Sequence, residues 1–148
     1  MMDDTSLRML QLKMEGYCCS QIIMVIALEA QGKTNAELVR ATGGLCFGAG
    51  MSGEVCGALS GGACLISLYG GKGSGEEKAD LRLPSMMNEL VEWFREGPAA
   101  TYGGMRCDDI LTRHPDKSAC GPMVAATYAK AMEILAAQGL APSGPGNT

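Results

Sequence analysis

The pattern of apolar and polar positions along the chain reads as a series of helices. Over residues 5–15, Leu7, Leu10 and Met14 recur at helical spacing, with Arg8, Gln11, Lys13 and Glu15 between them. That spacing predicts an amphipathic helix capped by Asp4 or Thr5 and ended by Gly16. From Cys19 to about Gly32 the residues are apolar nearly all round (Ile22-Ile23-Met24-Val25-Ile26-Ala27-Leu28), which predicts a central helix. Thr34-Asn35-Ala36-Glu37 has the form of a capping box and opens a short third helix ending at Gly43-Gly44.

A glycine-rich loop over residues 43–54 follows. The apolar run 55–69 then predicts a second buried helix. Glycine inside a helix costs ~1 kcal/mol against alanine, so Gly57 and Gly61, four apart on one face, imply a neighbouring backbone at close approach. Residues 70–75 read as a flexible linker. Pro84 suits the first turn of a helix to about Glu96 that turns Met87, Leu90, Val91 and Phe94 inward, with Gly97-Pro98 as its stop. Residues 99–106 read as a loop, 107–112 as a short helix, and 113–117 as a turn. A last helix follows Pro122, with Val124, Tyr128, Met132 and Leu135 on its buried face. The expected architecture is all-α: a compact helical bundle of about six helices with a Gly-rich loop, one domain over residues 1–138, and a disordered tail over 139–148.

Composition narrows the function. A net charge of −4 supplies no basic stripe to neutralise phosphates, so no nucleic-acid partner is expected. The run 55–69 is shorter than the ~18 residues of a membrane span, so no membrane span is expected either. The first residues lack the basic and apolar regions of a secretory signal, and a cytoplasmic location is expected. Glycine (21) and methionine (11) are abundant, and aromatics are sparse at 5%, which suits packed helices.

Seven cysteines are the main chemical signal. In a chain of this kind, thiols serve metal binding or catalysis more often than structural disulfides. Cys19, Cys56, Cys107 and Cys120 each fall at a predicted helix start. Unpaired N–H groups and the positive end of the helix dipole stabilise a thiolate there, and the thiolate both ligates metal and attacks disulfides. Arg106 and Lys117 add positive charge nearby in sequence. Cys64 sits mid-helix and reads as a small hydrophobe. Cys18, beside Cys19, reads as incidental, and Cys46, in the Gly-rich loop, is undecided.

These stretches resemble a family of proteins named for a C-GCAxxG-C-C cysteine pattern and described as redox-active. The resemblance rests on Gly16-Tyr17-Cys18-Cys19-Ser20-Gln21, on Cys56-Gly57-Ala58-Leu59-Ser60-Gly61-Gly62, on Arg106-Cys107-Asp108-Asp109-Ile110-Leu111, and on Cys120 followed by a helix. It spans roughly residues 5–138 and implies a cytoplasmic protein with Cys19, Cys56, Cys107 and Cys120 as its signature cysteines. Cys18, Cys46 and Cys64 are extra thiols against that pattern.

Other motifs carry less. Residues 48–53 match G-x-G-x-x-G, but the segment before them reads as helix, and a dinucleotide fingerprint needs a strand there. His114, the single histidine, falls in an exposed turn. Asp108 and Asp109 read as first-turn partners of a helix dipole.

The leading expectation is an iron–sulfur cluster held by Cys19, Cys56, Cys107 and Cys120, for electron transfer or redox sensing with a redox partner protein. All-thiolate ligation favours iron–sulfur or zinc, and the absence of a C-x-x-C pair favours the cluster. The runner-up is a metal-free dithiol/disulfide protein, and the third reading is a zinc-stabilised structural or interaction module. The oligomeric state is open, a homodimer included.

Overall fold

A computed structural model describes residues 3–141. The chain forms α1 (Asp4–Met14), α2 (Cys19–Ala30), α3 (Ala36–Thr42), a 3-10 turn (Gly43–Leu45), α4 (Gly57–Gly70), α5 (Leu83–Glu96), α6 (Pro98–Tyr102), α7 (Cys107–Arg113) and α8 (Cys120–Ala137). The described residues contain no β-strand, only an antiparallel bridge between Val55 and Arg106. The all-helical expectation holds. The short α6 is an addition where a loop was expected, and Pro98 at its first position explains it, because a proline needs no N–H partner there.

The two apolar-all-round segments are the centre of the bundle. α4 packs against α2, α5 and α8 at once, and Leu59, Leu65 and Ile66 of α4 are buried with Ile23 and Ala27 of α2. α5 buries Met86, Leu90 and Phe94, with Met87 and Val91 half-covered at its edge. α8 buries Val124, Leu135 and Ile134, while Tyr128 and Met132 are only partly covered.

Several boundaries differ for local reasons. Asp3, not Asp4 or Thr5, caps α1, its carboxylate accepting from Ser6 N–H at 2.7 Å. Asn35, not Thr34, caps α3, accepting from Leu38 N–H at 3.0 Å; an amide oxygen one residue later does the hydroxyl's work. α1 buries Met9 and Leu12, and Leu7, Leu10 and Met14 are exposed. α8 starts at Cys120, two residues before Pro122. Just past its end at Ala137, Gly139 has a φ of 73° that lets Leu140 N–H reach the Leu135 carbonyl at 2.9 Å; Leu140 packs back on the core. From residue 142 on, the expected tail lies outside the described residues.

Gly57 and Gly61 form the seam expected of them. A Cβ on Gly61 would stand 2.9 Å from Ser20 Cα, and one on Gly57 would stand 3.3 Å from the Leu45 carbonyl oxygen and 3.5 Å from Cys19 Cβ. The first turn of α4 therefore lies backbone-to-backbone against the first turn of α2. Gly61→Ala should destabilise by about 1–3 kcal/mol, because the obstructing atom is backbone, and Gly61→Leu should cost more. Gly121→Ala in α8, where a Cβ meets nothing within 4 Å, should instead be neutral or stabilise by up to ~1 kcal/mol. Thermal melts of the three variants check this; a higher midpoint for Gly61→Ala would remove the packing role of the seam.

Candidate functional site

Cys19 is the first residue of α2, Cys56 the N-cap of α4, Cys107 the first residue of α7 and Cys120 the first residue of α8. All four line one cleft of about 580 Å³. Two devices bring them together. The glycine seam sets the start of α4 on the start of α2. The Val55–Arg106 bridge then pairs the two segments that lead into α4 and α7: Cys56 N–H donates to the Met105 carbonyl at 2.9 Å and Cys107 N–H to the Glu54 carbonyl at 2.7 Å. Cys64 is half-buried on α4, away from the cleft lining, and burial pushes its thiol up, as suits a packing residue.

The four thiols are not equivalent. Cys19 and Cys120 influence each other's titration more than any other group does, in opposite directions, so the pair loses its first proton from Cys120. Cys19, more than any other influence, lowers Cys120 to about 7, helped by the charges of Lys13 and Lys117 and opposed by burial. Cys19 is correspondingly pushed up, by Cys120 and by burial. Cys56 is raised by burial, against the N–H groups of Ala58 and Leu59, which point at its sulfur from the open end of α4. Burial, then the negative charge of Cys120, raises Cys107, and Lys117 opposes them.

Cys18 and Cys46 are a correction to the reading of seven separate thiols: they form a disulfide, with Cα atoms 5.9 Å apart. Ser20, fully buried beneath it, donates to the Thr42 carbonyl at 2.8 Å. The loop that leaves Cys46 is left-handed from Phe47 through Met51 (φ 55–77°), and Phe47 reaches back to the cleft, where Lys117 Nζ stands 4.9 Å from its ring centroid. The G-x-G-x-x-G stretch is thus a turn preceded by a 3-10 segment, not by a strand.

Met9 and Leu10 of α1, Ile110 and Leu111 of α7, and Met123 and Val124 of α8 wall the cleft. Lys13 and Lys117 are its charged lining side chains, and no Asp or Glu lines it among the described residues. Arg106 turns away to Glu54 at 3.3 Å, with Asp108 and Asp109 at 3.9 and 4.0 Å. His114 packs edge-on against Tyr102 with ring centroids 5.7 Å apart, so it is not simply solvated. The soft donors Cys19, Cys56, Cys107 and Cys120 are the groups that could hold a metal. Among the described residues, no three Cys, His, Asp or Glu side chains stand close enough to share one ion.

The contribution of Lys13 was missed in the sequence, because nothing local ties residue 13 to residue 120. The Cys18–Cys46 bond was missed for the same reason, as its partners are 28 residues apart.

The sequence model of a family described as "Putative redox-active protein (C_GCAxxG_C_C)" matches residues 17–134. No curated protein and no solved structure matches the chain.

Alkylation of Cys120 should rise with pH through a midpoint near 7, since only the thiolate reacts and its proton leaves there. Cys19→Ala removes the largest cause of that lowering, so the midpoint should climb toward the ordinary value of ~8.5. Lys13→Gln should raise it by less. Iodoacetamide labelling resolved by peptide mass spectrometry reads each midpoint; an unchanged value in Cys19→Ala would show that the pair is not its origin.

Proposed function

The chain belongs to this C_GCAxxG_C_C redox-active family, and from that premise we propose that it carries out two-electron thiol–disulfide exchange with Cys120 as attacking thiolate and Cys19 as resolving thiol. The observations that support this best are the one cleft that both cysteines line and the lowering of Cys120 to about 7, of which Cys19 is the largest cause. Cys120 attacks one sulfur of a disulfide, whose S–S bond breaks and whose other sulfur leaves as a thiolate. Cys19 gives up its proton and attacks Cys120, releasing the second thiol and leaving a Cys19–Cys120 disulfide. A redox partner protein would return that disulfide to two thiols, and a reducing compartment such as the cytoplasm suits the cycle. No helix among the described residues is long and apolar enough to cross a membrane.

A second reading is an iron–sulfur cluster spanning the same cleft, for electron transfer or redox sensing. It is favoured by Cys56 and Cys107, which the exchange reaction leaves unused although both line that cleft. The four sulfurs are not gathered at single-ion spacing, and a cluster, which presents several metals to its ligands, asks less of them than one zinc ion does. Bound there, a cluster would supply one-electron chemistry. Cys56 would hold it under the N–H groups of Ala58 and Leu59.

Oxidising the reduced, metal-free protein with one equivalent of diamide should remove two hydrogens and yield a peptide pair joined through Cys19 and Cys120. Cys120→Ser should abolish that product, whereas Cys64→Ala should keep it. Brown protein from anaerobic purification, with iron and acid-labile sulfide in comparable amounts and lost in both Cys56→Ser and Cys107→Ser, would replace exchange by the cluster. Tightly held zinc alone would support the structural module.

A further inference from the structure

The cleft is far larger than two thiols need. A volume of about 580 Å³ is that of a site for a small organic molecule. Its walls are aliphatic, and Leu10, Tyr17 and Phe47 are exposed at its edge with 43%, 36% and 37% of their surfaces open. Exposed large apolar side chains gathered around a recess mark a binding surface.

Charge selects among apolar ligands. Lys13 and Lys117 both line the cleft, from α1 and from the turn before α8, and no carboxylate answers them in the described lining. Both favour the thiolate of Cys120, and all three residues line the same cleft. An acid group there would gain two cations at once, while an aliphatic body lies along Met9, Ile110, Leu111 and Met123. The sulfurs sit in a recess: Cys56 is buried, and Cys19, Cys107 and Cys120 are partly covered. A folded protein's surface disulfide would have to enter that recess, whereas a small ligand fits within it.

On the strength of the exchange reading above, we infer that the substrate is a low-molecular-weight aliphatic disulfide bearing a carboxylate, bound in this cleft with its acid group at Lys13 and Lys117. Cys120 opens the S–S bond and forms the mixed disulfide. The ligand's other sulfur leaves as a thiolate and takes the Cys19 proton; Cys19 then closes the protein disulfide and frees the second ligand sulfur as a thiol. Two electrons and two hydrogens pass from protein to ligand, and no other oxidant is involved.

Two probes separate binding from chemistry. Octanoate, an aliphatic acid with no sulfur, should bind the reduced protein saturably in calorimetric titration. The Lys13→Gln/Lys117→Gln variant should weaken it roughly tenfold or more, the loss expected for charge-assisted contacts. Lipoic acid should oxidise the reduced protein with saturation kinetics. Its neutral amide should do so with a higher half-saturation concentration, and the lysine variant should erase that difference. Lysines that served only to activate the thiolate would slow the acid and the amide alike and leave their ratio unchanged, which would overturn the assignment. Absence of octanoate binding, or faster oxidation by a protein disulfide than by lipoic acid, would also overturn it while leaving the exchange reading intact. Octanoate binding without any oxidation by lipoic acid would sink the exchange reading and reduce the inference to an aliphatic-acid site.

Discussion

The close approach of α4 to α2 is the constraint on which the rest of the site depends. Two helices whose first turns touch through Gly61 and Ser20 Cα cannot rotate or slide without collision, so the relative positions of Cys19 and Cys56 are set by backbone and not by side-chain rotamers. Sequence-distant segments are then added to that fixed pair. The bridge at Val55 and Arg106 docks α7 against the entry to α4, and α8 packs along both α2 and α4. Each step is short-range in space, and together they gather thiols from four parts of the chain.

Convergence of helix starts does not by itself produce a reactive thiol. Cys56 has two N–H groups directed at it and is still raised, because burial outweighs them. Cys120 is lowered, chiefly by Cys19 and further by the charges of Lys13 and Lys117. The four cysteines do stand at or beside helix starts, but the dipole does not rank them; the ranking comes from partners the dipole says nothing about.

This division explains what was legible in the sequence. Glycine punctuation, apolar periodicity and the Pro signals are local, and they placed the long helices and the four cysteines at or beside helix starts. The facing of α1 was misjudged because that helix carries two apolar sets. Met9 and Leu12 go to the core, while Leu10 takes its place at the cleft alongside Ser6 and Lys13, and periodicity cannot say which neighbour is solvent and which is protein. The partnership of Cys18 with Cys46, the facing of Lys13 toward Cys120 and the cleft itself are tertiary facts, created only when α1, α7 and α8 close around the seam.

The separation of the paired thiols along the chain has a thermodynamic consequence. Positions 19 and 120 lie 101 residues apart, and in the unfolded chain their encounter would carry the full entropy of closing so long a loop, a term of roughly 4–5 kcal/mol. The fold offsets that cost by bringing both cysteines to the lining of one cleft. By the closed cycle that joins folding to oxidation, whatever makes the disulfide easier to form in the native protein than in the unfolded chain must make the oxidised protein correspondingly harder to unfold. Electron occupancy and conformational stability are thus two readings of one free energy, and a protein of this design would report its redox state through how firmly it holds together.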